Sequence, residues 1–250
     1  MGVGTAHGVV PPHSHHAVQI SIGMTGHVRF SEEGGEWVEG DAAVIMPNAA
    51  HSFDPLGNTV AMIFVDPETR EGRWLRHSMR GTINPVDSQR SDEVRTSLLA
   101  FRDRRPSLDE AARLITGAVR ALCEGPPPVR RMDERIARAL AWIRANDARG
   151  LSLEAVAREA FLSPSRFAHL FTEEVGLPFR RYLLWRKLTR AIGEVGRGNT
   201  MSAAAHAAGF SDSAHLTRTF YQMFGIPPTI MMGSAEFYEI APPFELAVPG

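Results

Sequence analysis

Short apolar stretches separated by glycine, asparagine and proline run along the chain from residue 9 to about residue 66. The stretches Val18–Ile22, Ala42–Met46 and Val60–Val65 have the length and composition of strands. Gly34-Gly35 and Gly57-Asn58 lie between apolar stretches and favour turns. Several short strands in succession predict a small antiparallel barrel or sandwich.

Helical spacing replaces this pattern over residues 91–123, where apolar side chains recur every three or four residues. These residues are Val94, Leu98, Phe101, Leu108, Ala112, Ile115, Val119 and Leu122. Pro106 interrupts the series, which therefore predicts two amphipathic helices. The apolar stripes need a partner, and we expect either a second copy of the chain, giving a homodimer, or the chain's own β-domain.

Residues Gly125–Pro128 read Gly-Pro-Pro-Pro, which predicts a stiff, extended linker and a domain boundary. Helical spacing resumes at Asp133, with Leu140, Ile143, Val156 and Phe167 as predicted core residues. A longer helix is expected from Phe179 to about Val195. The expected fold class is α+β with two domains, a small antiparallel β-barrel followed by an all-α domain. The expected segments are the β-domain at 1–85, a helical segment at 86–124, the linker at 125–132, the helical domain at 133–235 and a C-terminal tail at 236–250.

The helical domain contains a segment that repeats itself after about 49 residues. The first copy has the blocks 157–163, 167–171 and 176–178, and the second has the blocks 205–211, 216–220 and 225–227. Each copy predicts a short helix, a tight turn and a second helix, the helix-turn-helix that places one helix in the major groove of DNA. Two copies in tandem predict a transcription factor that binds double-stranded DNA in two successive grooves.

In the first copy, the supporting helix is expected over Leu153–Ala160 and the recognition helix over Pro164–Val175. Ser163 is the expected N-cap of the recognition helix, and Gly176 is expected to end it. Polar side chains that point outward near the start of this helix are placed to meet base edges. The candidate DNA-contacting residues of this copy are Ser163, Ser165, Arg166 and His169.

In the second copy, Gly209 occupies the turn, where a left-handed backbone is easiest for glycine. The first copy has Phe161 at the matching place, so its turn must differ or be strained. Ser211 is the expected N-cap of the second recognition helix. Arg218 is the strongest candidate for base readout, because its guanidinium can bond both O6 and N7 of guanine. The candidate DNA-contacting residues of this copy are Ser211, Ser213, Ala214, His215 and Arg218.

The two copies share a recognisable set of residues. The first contains Leu162-Ser163-Pro-Ser with Gly176 and Pro178, and the second contains Ala208-Gly-Phe-Ser-Asp-Ser, Leu216-Thr-Arg-Thr-Phe220 and Phe224-Gly-Ile-Pro227. Residues 133–232 thereby resemble the AraC/XylS family of bacterial transcriptional regulators. The resemblance implies two helix-turn-helix subdomains bridged by a long helix, and RNA polymerase as a partner if the protein activates transcription.

Three histidines and a glutamine of the β-domain form a second set of candidate residues. His13 and His15 are two apart on a predicted strand, so both rings are expected on one face, with Gln19 in phase and His51 after a later strand. The spacing resembles the two cupin signatures, with Gln19 where cupin enzymes usually carry glutamate. Members of the AraC/XylS family commonly carry such a barrel as their effector-sensing domain. The resemblance implies that His13, His15 and His51, with Gln19 as a weak fourth ligand, can surround a divalent metal such as nickel, cobalt, zinc or iron.

Three interpretations of these histidines stay open: a metal site, a pocket for a small organic effector, or hydrogen-bonded barrel residues without a ligand. Glutamine in place of the carboxylate removes a negative charge and weakens a metal site. The wider layout, which includes Trp37, Pro47 and His51, resembles a subgroup of the family that contains nickel- and cobalt-responsive regulators. Trp37 is expected either to line the effector pocket or to lie in the core.

Composition narrows the classes of protein that remain. Cys123 is the only cysteine, which excludes an intrachain disulfide and a cysteine-based zinc site. The sequence has neither a long apolar run nor a basic start followed by an apolar segment, so we expect no membrane span, no secretory signal and a cytoplasmic protein. Net charge is −1, yet residues 129–232 carry 15 Arg and Lys against 9 Asp and Glu. This excess of positive charge suits a domain that binds DNA.

We expect a regulator rather than an enzyme. The alternative is a cupin metalloenzyme with an appended helical domain, because three histidines also hold the metal of such enzymes. Against it, the carboxylate ligand is missing and the sequence contains no convincing acid–base pair, glycine-rich phosphate loop or nucleophile elbow. A scaffold that only oligomerises is the third class.

Overall fold

The computed structural model describes residues 2–5, 7–102, 107–128, 132–146, 150–233 and 235–237. Several predicted features lie outside these residues, namely Pro106, part of the linker at 129–131 and the C-terminal tail from 238 onward, together with the side chains of Phe101 and Leu108. The chain divides into two compact units. The first consists of Met1–Pro127 with Thr217–Pro243, and the second of Pro128–Leu216 with Phe244–Gly250.

The strands of the first unit form two antiparallel sheets. They are β1 (Gly2–Thr5), β2 (Val10–His13), β3 (Val18–Gly23), β4 (Val28–Glu32), β5 (Trp37–Gly40), β6 (Ala42–Ile45), β7 (His51–Asp54), β8 (Thr59–Val65), β9 (Ile83–Val86) and β10 (Ala235–Phe237). One sheet has the strand order β10-β1-β8-β3-β6-β9, and the other has the order β2-β7-β4-β5. The three apolar stretches predicted as strands coincide with β3, β6 and β8, which confirms the antiparallel β-domain.

The helices of the first unit are α1 (Arg70–Ser78), α2 (Ser88–Arg102), α3 (Leu108–Leu122) and α10 (Pro228–Gly233). The two helices predicted over 91–123 are α2 and α3. Val94 and Leu98 of α2 and Val119 of α3 are buried in one cluster with Ile20 and Ile63 of the larger sheet. The apolar stripes therefore pack on the chain's own β-domain, the second of the two partners expected for them.

Helix α1 and strand β9 were not predicted, because the residues of α1 are mostly charged or polar and β9 has only four residues, too few to show an apolar period. Helix α1 begins at a local hydrogen bond. The Thr69 hydroxyl accepts a hydrogen bond from the backbone N–H of Gly72 and so caps the first turn. Leu75 is the helix residue that is fully buried, and it joins the cluster formed by β3 and β8.

The second unit is helical where the structure describes it. Its helices are α4 (Glu134–Ala145), α5 (Leu153–Glu159), α6 (Pro164–Val175), α7 (Phe179–Gly196), α8 (Met201–Ala208) and the beginning of α9 (Ser213–Phe224), whose end belongs to the first unit. Helix α7 is the predicted long helix. The buried core contains the four predicted residues together with Ile136, Phe171 and Tyr182. Among the described residues of the whole chain, no helix combines the length and apolarity required to cross a bilayer.

The two recognition helices begin with different caps. Helix α6 begins as predicted, with the Ser163 hydroxyl accepting from the backbone N–H of Arg166 and Pro164 in the first turn. Helix α9 does not begin at Ser211 as predicted. The Asp212 carboxylate accepts from the backbone N–H of His215 at 2.7 Å and is the N-cap. The extra residue of the second copy thus moves the start of α9 by one position, and a charged acceptor replaces the serine hydroxyl.

Candidate functional site

The first recognition helix separates a buried face from an exposed face as predicted. Phe167 and Phe171 are fully buried in the helical core, and their rings lie 5.3 Å apart. The side chains of Ser163, Ser165, Arg166 and His169 are all exposed. Helix α6 ends at Gly176, whose φ of 85° lies in the left-handed region that glycine adopts without strain. The four predicted DNA-contacting residues are therefore accessible on one rigid helix.

The second recognition helix has a similar division of faces. Leu216 and Phe220 are buried, whereas Arg218 is exposed on the outer face. Ser211 and Ala214 are also exposed, and Ser213 and His215 are half-buried. The ring of His215 is oriented by Ser211, whose hydroxyl lies 3.2 Å from Nδ1, and by an edge contact with Phe210. Of the predicted contact residues of this copy, Arg218 combines the greatest reach with a fixed charge.

The turns of the two helix-turn-helix copies share one backbone conformation. Gly209 has a φ of 82° and Phe161 has a φ of 54°, so both residues are left-handed. The first turn therefore does not differ from the second but is strained, which was one of the two expectations for it. A left-handed L-residue costs about 1–2 kcal/mol. The Phe161 side chain is 81% exposed, and the Arg138 guanidinium covers its ring at 5.2 Å.

One contact that the sequence did not predict holds the second turn. The Nζ of Lys187 on α7 donates a hydrogen bond to the backbone oxygen of Gly209 at 3.0 Å. Lys187 is the only lysine in the chain. Its charge satisfies a carbonyl at the C-terminal end of α8, where the helix dipole also favours a cation.

The three histidines of the β-domain come together. His13 ends β2 and is the cross-strand partner of His51 at the start of β7. His15 lies beyond the end of β2, so the expectation that a single strand carries both rings of the pair is wrong. The ring centroids are nevertheless 4.3 Å apart for His13 and His51, 5.3 Å for His15 and His51 and 5.9 Å for His13 and His15. One ligand nitrogen from each residue lies within 4.8 Å of the others.

Each of these histidines uses Nδ1 in the same way. Nδ1 lies 2.9 Å from the Pro11 oxygen in His13, 3.1 Å from the Ala17 oxygen in His15 and 3.0 Å from the Ala49 oxygen in His51. A carbonyl can only accept, so each Nδ1 carries the proton and each Nε2 keeps its lone pair. Metal-binding histidines typically donate their second N–H to such a carbonyl, which fixes the ring and raises its basicity.

Burial keeps the cluster neutral. Desolvation, followed by repulsion from His51 and His13, lowers the pKa of His15 to about 3. Desolvation, followed by repulsion from His13, lowers the pKa of His51 to about 4. Desolvation also lowers the pKa of His13. Near neutral pH the three rings are therefore uncharged imidazoles, the form that binds metals.

Gln19 lies next to the cluster as predicted. Its side-chain amide is 2.7 Å from Nε2 of His15 and 2.8 Å from the hydroxyl of Ser21. The structure places the amide oxygen on the His15 side and the amide NH2 on the Ser21 side. A neutral ring whose Nδ1 donates to a carbonyl accepts at Nε2, and a half-turn of the amide, which exchanges its oxygen and nitrogen, provides the matching N–H donor to His15. Gln19 thus positions His15 and lies within reach of anything that His15 binds.

Trp37 does not lie in the core, in contrast to one of its two expected roles. Its side chain is 39% exposed, and the Arg29 guanidinium lies over the ring at 5.0 Å. Strand β5, which carries Trp37, is at the opposite edge of the smaller sheet from β2. A role for Trp37 beside the histidines has no support in this placement.

The histidine cluster fits a divalent transition metal. Three neutral nitrogens converge, and Nε2 of His51 is buried without a hydrogen-bond partner among the described residues. Metal–nitrogen distances of about 2.0–2.1 Å in a tetrahedral site place ligand nitrogens about 3.3 Å apart. Ring movements of about an ångström would therefore bring all three nitrogens into one coordination sphere.

Aromatic residues border the cluster on another side. The ring of Phe64, on β8, meets His15 edge-on at 5.2 Å, and the ring of Phe224 lies 5.8 Å from His15. Gly225, the residue after α9, lies against His13. Sequence reasoning missed Phe64, Phe224 and Gly225 because long-range contacts leave no local pattern. The only available signal was the match between Gly225 and Gly176 in the repeat.

Comparison with known proteins places these features in a family context. A family model described as a helix-turn-helix domain matches residues 156–232. The multiple antibiotic resistance protein MarA of Escherichia coli is 32% identical over 104 residues, which cover 39% of this chain and 82% of MarA. An uncharacterised helix-turn-helix transcriptional regulator of the same organism, YpdC, is 27% identical over 88 residues, 35% of this chain and 31% of that protein.

Solved structures resemble the chain over nearly its whole length. An apo structure of a ToxT variant from Vibrio cholerae has a TM-score of 0.63 at 10% identity, covering 94% of this chain and 96% of that one. Wild-type ToxT bound to an unsaturated fatty acid has a TM-score of 0.60 at 13% identity, covering 95% of this chain and 97% of that one. At this identity the likeness concerns the fold, a β-domain combined with a helix-turn-helix domain.

Proposed function

Because the chain belongs to the AraC/XylS family of transcriptional regulators, we propose that its β-domain is an effector sensor that controls DNA binding by α6 and α9. The effector in this proposal is a divalent transition metal held by Nε2 of His13, His15 and His51. The observation that carries it is the convergence of three neutral histidines whose Nδ1 atoms all face backbone carbonyls. The family, and a glutamine at position 19 where cupin enzymes usually carry glutamate, both argue against the metalloenzyme alternative.

The chemistry of the ligands selects the metal. Imidazole nitrogens suit nickel, cobalt, zinc and iron, whereas magnesium and calcium require oxygen ligands. The bound cation would supply two positive charges at a buried point that is otherwise neutral. Gln19 is the nearest candidate for a fourth ligand through its amide oxygen, which lies 2.7 Å from Nε2 of His15. Any remaining position would be taken by water or by a small anion.

A small organic effector is the second candidate. The rings of Phe64 and Phe224 provide apolar surface beside the histidines, as an organic ligand would need. The structural neighbour ToxT has been crystallised with an unsaturated fatty acid. Under this proposal the histidines would bind the polar group of the ligand and the rings would contact its apolar part.

Metal analysis of the purified protein tests the site. We expect the wild-type chain to bind one nickel, cobalt or zinc ion per chain in equilibrium dialysis, and His51→Ala to lose it. His27→Ala is the matched control, because the His27 side chain is 58% exposed on the surface and removing it leaves the cluster intact. If no metal binds, a thermal-shift screen of small carboxylic acids and other organic compounds tests the second candidate.

DNA binding is tested with promoter fragments in a mobility-shift assay. We expect Arg218→Ala to weaken binding about 5- to 150-fold, the loss of about 1–3 kcal/mol that a bidentate guanine contact provides. Arg197→Ala removes the same charge from an exposed position at the end of α7 and serves as the control. Equal binding by Arg218→Ala and the wild type would remove Arg218 from the base-reading residues.

A further inference from the structure

The end of the second recognition helix lies directly on the candidate metal ligands. Phe224 is the last residue of α9, and its ring contacts both His15 and Phe64, with centroids 5.8 Å and 5.5 Å away. The backbone of Gly225 approaches so closely that a β-carbon there would lie 3.0 Å from Nδ1 of His13 and 2.9 Å from Cγ1 of Val10. Two of the three histidines therefore contact two consecutive residues that end α9.

This approach is specific to the second copy of the repeat. Gly176 occupies the matching position in the first copy, and both glycines follow a twelve-residue helix in a left-handed conformation, with φ of 85° and 71°. A β-carbon at Gly176 would meet nothing within 4 Å. The close packing at Gly225 is thus not a consequence of the helix-turn-helix itself. It arises because strand β2 lies there, with Val10, the backbone oxygen of Pro11 and the ring of His13 all against Gly225.

Metal coordination would change the surface on which these two residues pack. The ligand nitrogens, up to 4.8 Å apart, must approach to about 3.3 Å for tetrahedral coordination. Any pair of nitrogens that is further apart than this requires movement of the rings, and His13 and His15 supply two of the three nitrogens. Phe224 packs on one of these rings and Gly225 on the other. Tightly packed groups do not deform continuously, so the end of α9 fits the metal-bound and the metal-free cluster differently.

We propose that Phe224 and Gly225 couple occupancy of the histidine site to the second recognition helix. The proposal rests on the proposed function and adds the route by which the sensor acts on the DNA-reading element. A ligand shifts a conformational equilibrium only through contacts that differ between its states, and Phe224 and Gly225 make such contacts. Coupling is reciprocal, so DNA bound to α9 changes the affinity for metal by the same factor that metal changes the affinity for DNA.

A matched pair of glycine variants tests the contact. Gly225→Ala and Gly176→Ala introduce the same methyl group at the same helix position with a similar backbone penalty, but only the first meets a metal ligand. We expect Gly225→Ala to weaken Ni²⁺ binding by the full-length protein at least ten-fold in a chelator competition. Gly176→Ala should bind Ni²⁺ as the wild type does. Wild-type affinity in Gly225→Ala, or equal losses in both variants, would overturn the proposal.

A second measurement tests the coupling through Phe224. The Kd for Ni²⁺ is measured with and without a promoter fragment that the protein shifts. In the wild type the two values should differ about 5- to 150-fold, the usual range of allosteric coupling. In Phe224→Leu the ratio should approach one. A wild-type ratio in Phe224→Leu would refute this route while leaving the proposed function intact, whereas failure of the wild type to bind Ni²⁺ would refute both.

Amide hydrogen exchange of the wild-type chain tests the proposal without any variant, so the result does not depend on whether a variant folds. Addition of Ni²⁺ to DNA-free protein should change the exchange rates of the peptides that span Phe220–Ile226. The peptides that span Phe171–Leu177, the matching segment of the first copy, should not change. Identical exchange at Phe220–Ile226 with and without saturating Ni²⁺ would overturn the proposal.

Discussion

At the scale of single residues, the position of one proton on each histidine decides what the cluster can do. Each Nδ1–H is committed to a carbonyl two residues away, so Nε2 is the nitrogen left on each ring to bind a ligand. His51 retains a buried Nε2 with no partner among the described residues, at a free-energy cost that a bound cation would remove. The arrangement therefore favours a ligand that accepts electron pairs.

Because the side chain of Gln19 is neutral, replacing it with a carboxylate is expected to change the affinity of the histidine site for metal. Gln19→Glu would place a carboxylate 2.7 Å from the His15 ring, at the position of the amide. A negative ligand offsets the charge of a divalent cation, so we expect Ni²⁺ affinity to rise at least ten-fold at pH 7.5 in a chelator competition. Gln19→Met, which has a similar length but no charge or N–H, is the control and should not gain affinity. Unchanged affinity in Gln19→Glu would place the cation away from residue 19.

At the scale of elements, local sequence determined most helix boundaries, and its failures have physical causes. Ser163, Pro164 and Gly176 delimit α6 correctly because their bonds are made within the helix itself. The start of α9 was misplaced at Ser211, because the extra residue of the second copy brings Asp212 to the cap position, where its carboxylate accepts from the backbone N–H of His215. Helix α1 was missed because its stability comes from packing of Leu75 rather than from an apolar period. The sequence did not predict what α2 and α3 pack against, because a second copy of the chain and the chain's own β-domain can each bury an apolar stripe.

The turns of the two helix-turn-helix elements yield a prediction on stability. Gly209 and Phe161 have the same left-handed backbone, so a side chain is strained at both positions. We expect Gly209→Ala to lower the free energy of unfolding by about 1–2 kcal/mol. Phe161→Gly should lower it by less than about 0.5 kcal/mol, because relief of the strain offsets the added chain entropy and the lost contact with Arg138.

Chemical denaturation of both turn variants, with the wild type alongside, measures these differences. A loss in Phe161→Gly as large as that in Gly209→Ala would show that the exposed ring contributes more than its single contact with Arg138 indicates. The same data report on Lys187, whose hydrogen bond to the Gly209 oxygen depends on this turn conformation. Lys187→Met in the same assay should lose about 1 kcal/mol, the usual value of a single hydrogen bond.

At the scale of the whole molecule, the sequence predicted the domains and their motifs better than the contacts between distant segments. The repeat and the histidine spacing were sufficient for the fold class, the two helix-turn-helix copies and the convergence of His13, His15 and His51. The contacts of Phe224 and Gly225 with that cluster join residues more than 200 positions apart, and nothing in either segment indicates the other. Trp37 shows the opposite case, since a residue that matched a family layout lies exposed at a sheet edge.

The buried histidines also predict how the stability of the metal-free protein depends on pH. Their pKa values are about 3 for His15 and about 4 for His51, whereas unfolded histidines titrate near 6.5. The unfolded chain therefore binds more protons below about pH 6.5, so stability is full above that pH and falls as the pH decreases towards 4. Between pH 7 and pH 5 each of these two histidines should remove about 2 kcal/mol from the free energy of unfolding.

Urea denaturation in the presence of a chelator at pH 7 and pH 5 measures this loss. Replacing both buried histidines, as His15→Gln with His51→Asn, should reduce the pH-dependent loss by about 4 kcal/mol, because neither substituted side chain titrates. His27→Asn removes an exposed histidine but keeps His15 and His51, so it should retain the loss that these two residues cause. An equal loss in the double variant and the wild type would mean that other groups cause the acid sensitivity. Saturating Ni²⁺ should stabilise the wild type at both pH values, because His15 and His51 stay neutral in the folded chain over this range and remain able to bind the metal.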